Sequence, residues 1–206
     1  DYVILMDGDG EDRPEELNLL YNMSKKYPFK TVTADRIKRA EGSIFKLLYT
    51  CHKILTYVFT GKLIKFGNYS CLPKNAVMDL VKEPCIWSSF SGSVSKIISD
   101  RISVPSVRGK RYFGPSQMNF FSLLIHSFSI IAVFKMSVIF RSILFLIFYL
   151  FFIFNNLSII TFFPILIILI FLFSILKISS RENIEELNNS LKNISGIDIL
   201  YDFNSR

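Results

Sequence analysis

Apolar and polar positions change their period repeatedly along the chain. Tyr2-Val3-Ile4-Leu5-Met6 is a short apolar run that ends abruptly at Asp7, the pattern of a buried strand. Pro14 then opens a helical pattern in which Leu17, Leu20 and Tyr21 recur on one face until about Lys26. Thr31–Ala34 reads as a β-branched strand, followed by Asp35, Arg36 and a basic loop. Ser43 opens a long helix with Ile44, Leu47, Leu48, Ile54, Leu55 and Val58 as its apolar positions, expected to pack against the sheet. Gly67–Leu72 reads as a returning strand and Ala76–Val81 as a helix. A further helix is expected near Ser93–Ser99 and a strand over Ile102–Val104. Strands alternating with helices predict an α/β domain.

From Phe120 the pattern changes. Phe120–Phe134 is apolar but broken by Ser122, His126, Ser127 and Ser129, which suits a helix lying at an interface. Residues 135–154 and 157–176 are each long enough, at about 1.5 Å per residue, to cross roughly 30 Å of hydrocarbon. Asn155-Asn156 separates them as a turn, and no charged residue lies between Ser142 and Leu176. Lys135 and Arg141 lie at the start of the first segment, Lys177 and Arg181 follow the second, and the turn is uncharged. The positive-inside bias puts both outer ends in the cytoplasm. The expected organisation is a domain over 1–118, an interfacial helix over 119–134, a hairpin over 135–178 and a cytoplasmic tail over 179–206. Within the tail, Arg181–Lys192 reads as helical and Ile197–Tyr201 as a strand.

Composition sharpens this division. Half of the 206 residues are apolar, with 21 Phe, so the excess hydrophobicity belongs to the hairpin. Disorder, a collagen-like fibre and a disulfide-stapled secreted domain are excluded. Cys51, Cys71 and Cys85 form no C-x-x-C pair and read as reduced structural thiols. The net charge of +7 is concentrated: residues 17–78 hold eleven Lys or Arg against Asp35 and Glu41 only. An anionic membrane surface, a phosphate-bearing substrate or nucleic acid would each answer to such charge. The chain opens at Asp1 directly into a strand pattern, which leads us to expect a preceding segment.

The densest chemistry is Asp7-Gly8-Asp9-Gly10-Glu11-Asp12, at the carboxyl end of the first strand. Open α/β sheets bind ligands at that edge. Carboxylates two residues apart on a turn can chelate one hard cation, whose remaining positions suit phosphate oxygens. An EF-hand would need Gly and Glu where Asp12 and Asn18 stand, so that reading fails. A phosphatase of the haloacid-dehalogenase type shares the strand and D-x-D-G, but its later G-D-x-x-x-D cluster is missing.

Asp7, Asp9, Glu11, Asp12, Pro14 and Glu15 stand in the order of a D-x-D…D-x-P-E motif. Downstream come Arg36 after the next strand, Gly67-Asn68-Tyr69-Ser70, and an R-x-x-G-x-S loop of Arg111, Gly114 and Ser116, with Gln117 in place of the usual Lys. With the terminal hairpin, this order resembles the second half of a family 2 glycosyltransferase domain, in the polyprenyl-phosphate branch that includes dolichol-phosphate mannosyltransferase. The resemblance implies a partial GT-A, Rossmann-like domain, N-terminally truncated. It implies transfer of a sugar from a nucleotide-diphosphate donor to a polyprenyl phosphate at the cytoplasmic face, in a bacterial inner membrane. Asp7, Asp9 and Glu11 would hold Mg²⁺ or Mn²⁺; Asp9 and Arg111 would be catalytic; Arg36, Arg111 and Ser116 would bind substrate phosphate. Partners would be donor, lipid acceptor and bilayer, not nucleic acid, with a homo-oligomer left open. The rival reading is a non-catalytic binding protein held by a two-helix anchor. A processive polysaccharide synthase is disfavoured because the lone Trp87 follows Cys85-Ile86 and lies in no Q-x-x-R-W motif.

Overall fold

The computed structural model describes residues 1–38, 43–114 and 119–196. Four strands, β1 (Tyr2–Leu5), β2 (Thr31–Lys38), β3 (Phe66–Pro73) and β4 (Arg101–Val107), form one sheet in the order β1-β3-β2-β4. The sheet is mixed. β3 runs antiparallel to both β1 and β2, whereas β2 and β4 are parallel. β1, β2 and β4 therefore point the same way, and their carboxyl ends share an edge with the start of β3.

The direction of β3 follows from where the preceding helix goes. A parallel return requires a crossover packed over the sheet. The 18-residue α2 (Ser43–Thr60) was expected there, but it packs instead on α5 (Phe120–Ala132) and α6 (Lys135–Ile153). Its Leu55 and Phe59 join Ile131, Ala132, Val138, Ile175 and Ile178 in an apolar cluster, and Phe59 meets the Phe171 ring at 4.7 Å. Having left the sheet at one edge, the chain re-enters at the same edge.

Alternation along the strands divides the core into two layers. On one face, α1 (Leu17–Lys26) covers Val32, Ala34, Tyr69, Cys71 and Val104 through Leu20, with Tyr2 and Ile4 beside them. On the other, α3 (Lys74–Leu80), α4 (Phe90–Ile97) and α5 cover Phe66 and Leu72 through Ala76, Leu80, Val94 and Ile130, with Val133 just past α5 beside them. The sequence-derived boundaries shift modestly. α4 begins three residues early because Ser89 caps it, its hydroxyl accepting from the Gly92 amide, and β4 continues through Pro105 to Val107. All three cysteines are free, Cys71 and Cys85 being buried.

α6 and α7 (Ile159–Ser179) are both long and apolar enough to cross a membrane. Asn156 closes their turn by donating its amide to the Ile153 carbonyl at 2.8 Å, and Ser158 and Thr161 cap α7 reciprocally. Only 11% and 6% of the two most apolar windows are buried, and Phe151, Phe152 and Ile160 are more than 70% exposed. The hairpin is thus not the buried core of this domain. Its base is tied down by Lys135 and Glu182 at 2.7 Å, with Ser88 donating to the same carboxylate. The tail begins with α8 (Ile184–Asn189), and the strand expected over residues 197–201 lies outside the described residues.

Candidate functional site

Two loops meet at the carboxyl edge of the sheet: the acidic turn after β1, residues 6–12, and the basic loop after β4, residues 108–114. Their backbones touch. The Gly109 amide donates to the Glu11 carbonyl at 2.8 Å, and the Tyr112 amide to the Asp9 carbonyl at 2.9 Å. This approach depends on glycine at both sides. A Cβ on Gly109 would lie 2.4 Å from the Gly10 carbonyl oxygen. Gly10 itself has φ +89° and lies beneath the Tyr112 ring.

The side chains form an ionic lattice. Glu11 binds Arg108 through Oε2 and Arg111 through Oε1, the latter at 3.0 Å. Arg111 also reaches Asp9 Oδ2 at 3.3 Å, while Asp9 Oδ1 accepts the Glu11 amide at 3.0 Å. Asp12 is only 5% exposed; its Oδ2 accepts the Asp7 amide and its Oδ1 lies 4.0 Å from Arg36. Asp7 Oδ1 accepts from the Asn68 amide group at 3.0 Å. Burial raises the Asp12 pKa above the usual carboxylate value, and the neighbouring Asp7 and Asp9 charges push the same way, against the Asp7 hydrogen bond and Arg36. Burial lowers the Arg108 pKa, with Arg111 adding to the effect and Asp9 and Asp7 opposing it.

The expected residues Asp7, Asp9, Glu11, Arg36 and Arg111 all lie at this one edge. Ser116 lies outside the described residues. Four carboxylates face three guanidinium groups, and Lys110 of the same basic loop adds a fourth positive charge.

Their fit to a divalent cation is uneven. An ionised carboxylate offers about four lone-pair positions. Asp9 uses two and its side chain is 38% exposed; Asp7 also lies partly open beside Asn68. Mg²⁺ commonly takes one or two carboxylates and fills the rest of its shell with water and phosphate, so Asp7 and Asp9 fit. Glu11 does not, because both its oxygens are held by arginines. Among the described residues no three His, Cys, Asp or Glu side chains converge as a ready metal cage.

Three contributors escaped the sequence reading. Arg108 is the second arm of the Glu11 clasp; its spacing of three from Arg111 was the available signal. Asn68 holds Asp7 from β3, and the antiparallel direction of β3 puts it there. Glu16, and not Glu15, fastens β4, accepting from the Ser106 hydroxyl at 2.6 Å and from the Val107 amide at 3.2 Å. Glu15 makes an exposed pair with Arg13.

Fold and site together define a mixed α/β domain with an acidic and arginine-rich sheet edge, joined to a hairpin of two helices able to span a membrane. No protein-family model, curated protein or solved structure matches the chain.

Proposed function

We propose that the chain is the metal- and phosphate-handling part of a GT-A glycosyltransferase that moves a sugar from a nucleotide diphosphate to a polyprenyl phosphate. The observation that carries this reading is the gathering of Asp7 and Asp9 with Arg36, Arg108 and Arg111 at one sheet edge, where Arg111 pairs with Asp9. Asp7 and Asp9 would hold Mg²⁺ or Mn²⁺, which when bound neutralises charge developing on the leaving diphosphate.

Arg111 is the mobile partner in this scheme. It is shared between Asp9 and Glu11, so a phosphate oxygen can replace its longer, 3.3 Å contact to Asp9 while Glu11 keeps Nε in place. Arg36 stands behind Asp12 and supplies a second positive charge. Glu11 acts by orienting the two loop arginines. A phosphate monoester acceptor is already mostly ionised at neutral pH, its second pKa being about 6, so attack on the sugar requires no dedicated base. The hairpin would keep this edge beside an acceptor confined to the bilayer, with Lys135, Arg141, Lys177 and Arg181 on the cytoplasmic side.

The test uses membranes expressing the chain within its full reading frame, supplied with labelled nucleotide-diphosphate sugars, a polyprenyl phosphate and Mg²⁺ or Mn²⁺. Label should enter the lipid extract, and Asp9→Asn should reduce the rate by at least about a hundredfold, in the range of one lost electrostatic contact to the transition state. Transfer that survives both chelation and Asp9→Asn overturns the scheme. Absence of transfer with every donor favours the non-catalytic anchor, a reading supported by the mutual neutralisation of acid and arginine at this edge.

A further inference from the structure

The face of the sheet turned toward α3 and α4 is apolar on only half its width. Phe66 and Leu72 of β3 are covered by helices, but the same face of β2 and β4 carries Thr31, Thr33, Asp35, Arg101 and Ser103. A cleft of about 290 Å³ opens over this polar half, lined by Asp35, Lys65, Phe66, Ser99, Arg101 and Ser103. That is far more than the ~10–15 Å³ a single water requires. The Arg101 guanidinium lies over the Phe66 ring, 5.2 Å from its centre. Its Nε and Nη1 are buried and have no hydrogen-bond partner, and so is Asp35 Oδ1. Buried polar groups are normally paired, and each one left unpaired costs roughly 1–3 kcal/mol. Burial lowers the Arg101 pKa, only partly offset by the Asp35 charge.

The unpaired atoms specify an occupant. Two donors of one guanidinium call for an oxyanion, with Lys65 adding positive charge. Asp35 in the same cleft calls for a donor and would repel an anion that brings only lone pairs. A phosphate that retains a proton meets both demands: P–O⁻ and P=O oxygens accept from Arg101, and P–OH donates to Asp35. Sulfate has the same shape but carries no proton near neutral pH. We propose that this cleft is a binding site for a protonated phosphate, free or as a monoester, which it distinguishes from sulfate. The site is separate from the acidic edge: Asp35 and Arg36 are adjacent in β2, so their side chains lie on opposite faces.

The test is calorimetric titration of the full chain in a phosphate-free detergent with inorganic phosphate and with sulfate. Phosphate should bind at least about tenfold more tightly than sulfate, the scale of one hydrogen bond to a charged group. Asp35→Asn, nearly identical in shape but with an amide donor, should bring the two anions within about threefold of each other. Arg101→Gln should weaken phosphate at least about tenfold, and Lys82→Gln, exposed in a remote turn outside both sites, should leave it unchanged. Vesicles containing phosphatidic acid that compete with inorganic phosphate identify a lipid headgroup as occupant; lack of competition identifies a soluble one. Equal binding of sulfate by the unmodified chain, no phosphate binding, or an anion ratio unmoved by Asp35→Asn overturns the proposal.

Discussion

Replacing Glu11 by Gln tests whether that side chain is the anchor of the arginine loop. The carboxylate is 15% exposed and binds two guanidinium groups that are each 25% exposed. A hydrogen bond to a charged group contributes about 1.5–3 kcal/mol. Gln keeps one acceptor oxygen, and partial exposure screens the rest, so the loss should be about 1.5–2 kcal/mol. Among the described residues, the loop after β4 is held to the acidic turn by two backbone hydrogen bonds and the Arg111–Asp9 contact besides these ion pairs. The lost energy should therefore appear as local opening, not as global unfolding. Lys110 and Arg111 are natural trypsin sites within that loop. When opening is fast relative to cleavage, the rate follows the open population, so 1.5–2 kcal/mol predicts roughly 10–30-fold faster cutting at these positions. Lys82, exposed in a remote turn, serves as the internal control, and 1 M salt should narrow the difference. Millimolar Mg²⁺ should leave the loop of the unmodified chain protected. A change below about threefold, parallel acceleration at Lys82, or loop opening by Mg²⁺ would refute the assignment of Glu11 as an arginine anchor.

Asp12→Asn should raise the melting temperature at neutral pH. Because the folded carboxyl has a pKa above 3.8, the folded state binds the extra proton, and ionised Asp12 costs stability as pH rises. The advantage of Asn should fade on acidification and vanish below about pH 3.8; melting curves offset equally at all pH values would contradict this. Gly109→Ala should force the two loops apart, since its Cβ meets the Gly10 carbonyl oxygen at 2.4 Å and backbone has little freedom to yield. A loss of about 1–3 kcal/mol, of the kind overpacking causes, should be visible as the same tryptic cleavage, and an unchanged rate would remove the claim of close contact. With exposed Cys51 first changed to Ser, Asn156→Cys and Ser180→Cys should react with an impermeant maleimide from opposite sides of a sealed membrane. Labelling of both from one side would exclude a spanning hairpin.

Much of this organisation was legible along the chain because it depends on local physics. The two long uncharged stretches and the run of carboxylates after a strand are properties of neighbouring residues. So was the meeting of Asp7, Asp9, Arg36 and Arg111, to the extent that Asp7, Asp9 and Arg111 follow strands and Arg36 lies near the end of β2. The direction of β3 was not legible, because it depends on whether α2 covers the sheet or the apolar helices, and both are apolar partners for the same amphipathic face. Asn68 and Glu16 were missed for that reason: their roles exist only once β3 and β4 have been placed. Glu11 reads along the chain as one more carboxylate of the acidic turn. Only the approach of the loop after β4, about 100 positions later, shows that two arginines hold both its oxygens.

The sequence by itself determined where the chain is helical, extended or able to enter a bilayer, since propensity, capping and hydrophobic period act over a few residues. The tertiary structure alone decided which charges neutralise each other and which are left over. Arg101 shows the difference most clearly. As a sequence position it is one of many basic residues, but on the sheet it lies buried over Phe66 near Asp35 with two donors unpaired. Electrostatic pairing depends on distance and burial, and neither exists until strands that are remote in sequence lie side by side.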